Sequence, residues 1–332
     1  MNKHFILILL SCVCIGCKNN NPTNTNISSG DLEIDLITAD INKKPKDDKL
    51  YFARAKKYYD KKAYDNAISD LNKALTIDSL NPEYYHLLSD AYLDYFNSKE
   101  AVNTMLKVLA LYPERVASLL KLAELKYILE DYDSSIFTVN EVIRLDPQNA
   151  EAFFMLGLNF RAMNDKPRAI NSFQTAVEMN SVLTDAWMIL GEMYEEKNDP
   201  NALKYFESAV LSNPSSMQAL HSKAFYLQNH NRISEAQNIY RQIIITDKMY
   251  TDAYLNSGLL YLEVDSLNRA LEQFNILTGV SPTNYMGFYM RGIVYEKLGK
   301  KTEALKDYES ANKLNKDDKK VQIALESLKN QK

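Results

Sequence analysis

Residues 184–214 read TDAWMILGEMYEEKNDPNALKYFESAVLSNP, and the spacing within this stretch decides the fold. Trp187, Leu190, Gly191 and Tyr194 recur at helical spacing and share one face of a helix. Ala202, Phe206 and Ala209 form a second such face, and Pro214 closes it because proline cannot continue the hydrogen-bond ladder. The stretch is therefore two short amphipathic helices. Gly191 and Ala202 are small where the helices must cross, and antiparallel helices approach closely only where the side chains at the crossing are minimal.

Outward from this stretch the same unit returns every 34 residues from Asp48 to Asp318, with one single-residue deletion near Pro200. The fourth unit repeats it with Phe153, Leu156, Gly157, Phe160, Ala169, Phe173 and Ala176, and the seventh with Tyr254, Gly258, Tyr261, Ala270, Phe274 and Pro282. Pro113 and Pro147 end second helices in the same way as Pro214 and Pro282. The other units keep the frame with departures: Lys126 where position 11 is expected to be aromatic, and Arg54, Lys223 and Arg291 at position 7. Position 8 reads Ala55, Ser89, Ala123, Gly157, Gly191, Ala224, Gly258, Gly292, and position 20 reads Ala67, Ala101, Ser135, Ala169, Ala202, Ala236, Ala270, Ala304. Alanine, serine and glycine make up 59 of 332 residues, so chance would place about 3 of them at these 16 sites, yet all 16 are small. The chain is an array of one supersecondary unit and not a pair of globular domains.

The pattern resembles the tetratricopeptide repeat. That resemblance implies an all-α, right-handed superhelix of about eight helix-turn-helix repeats over residues 48–318, with a capping helix and tail at residues 319–332. Asp317 or Asp318 is placed to cap that helix, in which Val321, Ala324, Leu325 and Leu328 form one stripe while Gln322, Glu326 and Lys329 face water. A polar outer face of this kind is what an array needs at its end.

The resemblance also implies that positions 2, 5, 9 and 12 of the first helices line a concave partner-binding groove. Among these are Phe52, Tyr59, Asp90, Leu120, Glu124, Tyr127, Phe154, Leu158, Met188, Glu192, Phe225, Leu255, Leu259 and Tyr289. Of the 32 groove positions half are apolar, nine are acidic, and only Lys49, Lys56 and Arg161 are basic, so the expected partner is an apolar and basic protein segment. Part of the apolar set must also serve as packing between repeats. Two specificities known among such repeats are absent: Phe52 and Lys56 replace the lysine and asparagine of carboxylate-clamp domains, and of the asparagine ladder only Asn256 is present.

Ahead of the array, residues 1–16 are expected to be a signal peptide. Lys3 precedes FILILLSCVCI at residues 5–15, an apolar run too short to span a bilayer, which needs about 20 apolar residues. The run ends in Cys14-Ile15-Gly16-Cys17, which resembles a bacterial lipoprotein signal with Cys17 as the lipidated residue; Cys12, after Leu9-Leu10-Ser11, is the second candidate. Residues 17–47 are expected to be a flexible polar tether, with five asparagines in 19–26, in which Leu32, Ile34 and Leu36 alternate as a short strand or as a segment lying on the first repeat. Lys18 is not the aspartate that retains lipoproteins in the inner membrane of enteric bacteria, so the outer membrane of a bacterial envelope is the expected location.

Composition narrows the chemistry. Nine glycines and no GxGxxG or GxxxxGK[ST] string remove the main support for phosphate-cradling loops, and a net charge of −4 gives no broad footprint for nucleic acid. All three cysteines lie in the first 17 residues, so the body holds no disulfide, cysteine nucleophile or cysteine metal ligand. His86 and His221 share a repeat position four repeats apart, which at ~8–10 Å per helix layer is too far to share a metal. No cofactor, metal or catalytic constellation is expected, and the expected function is a lipid-anchored scaffold. Capture of a carbohydrate nutrient is the alternative, disfavoured because the connections are short, and an envelope enzyme ranks last.

Overall fold

The computed structural model describes residues 29–330. They form eighteen α-helices, with no strand among the described residues. The first is α1 (Leu32–Lys43). The first helices of the repeats are α2 (Asp48–Asp60), α4 (Pro82–Asp94), α6 (Val116–Ile128), α8 (Ala150–Ala162), α10 (Thr184–Glu195), α12 (Met217–Asn229), α14 (Thr251–Glu263) and α16 (Tyr285–Lys297). Their partners are α3 (Tyr64–Ile77), α5 (Ser98–Leu111), α7 (Tyr132–Leu145), α9 (Lys166–Met179), α11 (Ala202–Ser212), α13 (Ile233–Thr246), α15 (Leu267–Val280) and α17 (Lys301–Leu314), and α18 (Lys319–Asn330) follows. The helices form two compact units, one ending at Phe96 and the other starting at Asn97. Within each unit, hairpin partners pack on one another and each second helix packs on the next first helix.

What holds a hairpin together is a match of sizes between position 8 and position 24. A Cβ built on Gly157, Gly191, Gly258 or Gly292 would lie 2.5–2.7 Å from the ring of Phe173, Phe206, Phe274 or Tyr308 in the same repeat. Those rings are almost wholly buried. Where position 8 carries a Cβ, position 24 shrinks: Ala55 goes with Leu71 and Ala123 with Val139. Repeat six departs, pairing Ala224 with Tyr240, whose hydroxyl donates to Gln228 at 3.1 Å.

The turn inside each hairpin uses one conformation. Lys62, Phe96, Glu130, Asn164, Asn198, Asn231 and Asp265 have φ between 53° and 60°, and Gly299, at the same repeat position, has φ 73°. This left-handed residue lets the amide after it reach back to a carbonyl five residues earlier, as Ala63 does to Tyr58 at 2.9 Å. Asparagine, aspartate and glycine tolerate that φ. Lys62, Phe96 and Glu130 adopt it at a cost.

Residues 32–43 are a helix and not a short strand or flexible tether; it lies on the first repeat, the other arrangement expected for Leu32, Ile34 and Leu36. Asp31 caps α1, accepting from the amides of Glu33 (2.8 Å) and Ile34 (3.1 Å), and also pairs with Lys61. The alternation of Leu32, Ile34 and Leu36 misled because Leu32 and Leu36 are exposed. The operative spacing is Ile34, Ile37, Ile41, which packs on α2 in the place of a second helix. The same spacing recurs in α3 as Ile68, Leu71, Leu75, one period later. At the other end Asp318 accepts from the amides of Lys320 (2.8 Å) and Val321 (3.3 Å), and Val321 and Leu328 of α18 are buried.

The charged residues at position 7 are not lapses in the pattern. Arg54 donates through Nε and Nη2 to both carboxylate oxygens of Asp70 at 2.7 and 2.8 Å, and through Nη1 to Thr38 of α1 at 2.9 Å. Arg291 repeats this with Asp307 at 2.7 and 2.8 Å, and its Nη1 reaches Asn275 (3.0 Å) and Thr278 (2.6 Å) of the preceding second helix. The fork of donors matches a carboxylate, so a buried cation is held by its own hairpin and by the neighbour it must dock. Lys223 pairs with Glu207 of the preceding second helix at 3.4 Å. Lys126, standing where an aromatic is expected, lays its stem in that place and donates to Thr138 at 2.9 Å; burial lowers its pKa.

Candidate interaction surface

The first helices set positions 2, 5, 9 and 12 on one side, and the expected site residues divide there into three kinds. Most of the apolar ones are half-buried. Leu120, Phe154 and Leu158 pack against the central core of the second unit, Leu255 and Leu259 against the cluster around Phe274, and Tyr289 against Tyr308 with rings 5.9 Å apart. Tyr127 stands beside Tyr132, 5.8 Å between centroids. In the first unit, Phe52 lies 4.7 Å from Tyr84 and under the Lys56 ammonium, and Tyr59 donates to Asp94 at 2.6 Å; Asp90 is half-buried. Phe52 and Tyr59 join adjacent repeats, whereas Tyr127 and Tyr289 pack within their own hairpins.

Met188 is a correction. It is only 5% exposed, packed between Ala209 and Ala219 with the Ser222 hydroxyl on its sulfur, because the small residues around it let the next hairpin close over it. It offers nothing to a partner. Phe225 is the opposite case: it is 44% exposed, and its ring stacks 6.2 Å from that of His221 at an angle of 15°.

The acidic residues are less free than their number suggested. Glu192 takes Arg161 at 2.8 Å, Glu124 takes Lys121 at 3.1 Å, and Glu296 accepts from Tyr308 at 2.8 Å. Glu151, Asp185 and Asp252 are exposed, and each sits in the first turn of its helix, where a negative charge is favoured by the helix dipole. Part of the acidity of this face is therefore engaged by the chain's own donors, and the other exposed carboxylates are this row at position 2, which also complements the helix N-termini.

Sequence profiles described as tetratricopeptide repeat match residues 48–79, 82–115, 116–149 and 287–318, and a further one matches 154–219, together more than half of the chain. The chain belongs to the tetratricopeptide-repeat family. It is 29% identical over 157 residues to tetratricopeptide repeat protein 6 of Homo sapiens, covering 46% of this chain and 30% of that protein. It is 25% identical over 265 residues to superkiller protein 3 of Schizosaccharomyces pombe, covering 77% of this chain and 17% of that one. The chain thus spans less than a third of the length of these relatives. Among solved structures, the C-terminal part of a tetratricopeptide-repeat protein from Cytophaga hutchinsonii superposes with TM-score 0.58 at 15% identity, over 72% of this chain and 99% of that one. The Cut9–Hcn1 hetero-tetramer of the APC/C gives 0.52 at 14%, over 89% and 58%. Both likenesses show the fold.

One feature of this tetratricopeptide array escaped the sequence. His221 at position 5 is half-buried, ringed by Phe225, Tyr240 and Tyr250, and its Nε2 lies 2.9 Å from the Asn256 amide nitrogen, which donates to it. Asn256, the single ladder asparagine, is thus engaged by its own chain. The signal was the 35-residue step from His221 to Asn256, one more than the period, which puts them on facing first helices. Burial lowers the His221 pKa below the ordinary 6.5, with Asp252 opposing weakly. The unfolded chain then takes up a proton at a higher pH than the folded one, so the His221 contribution to stability is full above about pH 6.5 and declines as pH falls toward the folded value. The denaturant midpoint is expected to fall between pH 7.5 and 5.5, and to fall less in His221→Gln, which keeps an acceptor for Asn256. Equal falls in the two proteins would remove His221 from the account.

Proposed function

We propose that the chain is a binding scaffold that holds an apolar and basic protein segment against its first helices, and that a lipid on Cys17 tethers it to a bacterial membrane, the outer one by preference. The observation that supports the binding reading is Phe225, exposed on α12, with half-buried Leu255 and Leu259 and exposed Asp252 on α14 and exposed Asp185 on α10. An extended or helical segment could set an apolar side chain on Phe225 and a cation toward that acidic row. Glu151 continues the row on α8.

Two experiments test the two halves. The wild type and a Phe225→Glu, Asp252→Lys variant are compared for capture of partners from detergent-solubilised membranes, followed by direct binding of the partner identified. Loss of about ten-fold or more in affinity with helicity intact is expected; a partner indifferent to the variant would refute the use of this face. The anchor is tested by palmitate labelling. Cys17 lies outside the described residues, as does Cys12, and label that survives Cys17→Ala but vanishes in Cys12→Ala would move the site. No helix among the described residues is long and apolar enough to cross a membrane.

A further inference from the structure

The array carries a second concave site, away from the first-helix face and independent of the reading above. A cavity of about 360 Å³ opens between α9, α10 and α11, inside the range of roughly 300–1,000 Å³ typical of small-molecule sites. One wall is aromatic. Trp187 donates its indole N–H to the Ser181 carbonyl at 2.9 Å, which fixes the ring, and Tyr205 lies 6.1 Å from it and 4.6 Å from Tyr194.

The phenolic end of this wall is polar. The Gln174 amide donates to the phenolic oxygens of Tyr194 and Tyr205 at 3.1 Å each. Each phenolic oxygen accepts from that amide and keeps its O–H as a donor toward the cavity or its mouth. Asn201, Lys204 and Glu178 complete the rim.

The one break in the 34-residue period falls at this rim. α11 has 11 residues where each of the other seven second helices has 14, and Asn201 is the residue immediately before its shortened start. The departure from the repeat and the cavity coincide.

We propose that this cavity binds a pyranose ring of a neutral oligosaccharide. The C–H face of such a ring carries partial positive charge and suits the negative face of Trp187 and Tyr205. Its edge carries hydroxyls that both donate and accept, matching amides, a phenol, an ammonium and a carboxylate. A purely apolar side chain in the same place would strip water from Gln174, Asn201 and Glu178 without replacing its hydrogen bonds. The site is built between helices, so the short connections of the array are no obstacle.

Trp187 is the single tryptophan of the chain, and its emission reports directly on occupancy. The purified chain is titrated with maltotriose, cellotriose and chitotriose, and separately with tyrosine- and proline-containing peptides. A saturable change with at least one trisaccharide, at a dissociation constant of about 1 mM or below, is expected. Lys204→Gln and Glu178→Gln are exposed changes that should each weaken it about ten-fold with the unfolding midpoint unaltered. Phe225→Glu should leave it unchanged, which separates this site from the first-helix face. No response to any of the three sugars, equal binding in the rim variants, or saturation by peptide alone would overturn the assignment. To distinguish a free saccharide from a glycan carried on a protein, the same variants are assayed against a glycoprotein bearing the preferred unit, before and after enzymatic deglycosylation. Binding lost on deglycosylation supports the carried form, and binding only to the free trisaccharide supports the other.

Discussion

Asp307→Ala is expected to cost the second unit about 3 kcal/mol, the largest loss from any single carboxylate in the array. The reason is the guanidinium left behind. Arg291 and Asp307 keep only 18% and 5% of their side-chain surface in contact with solvent, and the pair is bidentate. Removing the acid strands a largely buried cation that then meets only neutral groups, Asn275, Thr278 and the rings of Phe288 and Tyr295. The effect is therefore mostly the cost of an unpaired charge, not the worth of the pair. This distinction can be tested, because Arg291→Met in the same molecule removes the charge and fills similar volume, and the double variant is expected to recover most of the loss. Denaturant unfolding measures the loss, and hydrogen exchange should place it in α15–α17, since each repeat contacts only its neighbours. A single variant within about 0.5 kcal/mol of wild type would show that water reaches Arg291 and that the pair is ornamental.

The same arrangement at Arg54 and Asp70 explains what could and could not be read from the sequence. Hydrophobic period and small-residue register are local properties, visible along one line of text, and they placed the hairpins, their crossings and the final helix. Arg54 and Arg291 looked like errors in that register because their partners lie 16 residues away on a different helix, outside any local periodicity. α1 was missed for a related reason. Its N-terminal residues alternate like a strand, and only comparison with Ile68, Leu71 and Leu75 one period later exposes the helical set. At the interaction surface, residue type predicted apolarity correctly, but exposure depends on what the next hairpin covers. Met188 is sealed by Ala209 and Ala219 while Phe225, one repeat on, is not. The cavity beside Trp187 was invisible for the opposite reason: its residues have packing positions in the repeat, and only the shortened α11 marks the place as different.

Gly157→Ala is expected to destabilise the hairpin of α8 and α9 by about 1–3 kcal/mol, although alanine is the better helix former. The added Cβ would stand 2.5, 2.6 and 2.8 Å from three ring atoms of Phe173. That ring is fully buried and packed against Phe154, so it has no open side into which to turn. Relief must come from moving one helix off the other, and a close-packed interior resists this. The remedy is written elsewhere in the chain: Ala55 is matched by Leu71 and Ala123 by Val139. Phe173→Leu alone should also lose stability, by opening a cavity, but the double variant Gly157→Ala, Phe173→Leu should be more stable than the sum of the single losses predicts, by 1 kcal/mol or so. Additive losses would mean that the glycine is required by the backbone and not by the ring. A favourable coupling would establish that positions 8 and 24 are selected as a pair, and that the array is specified one hairpin at a time by the fit of one side chain against the absence of another.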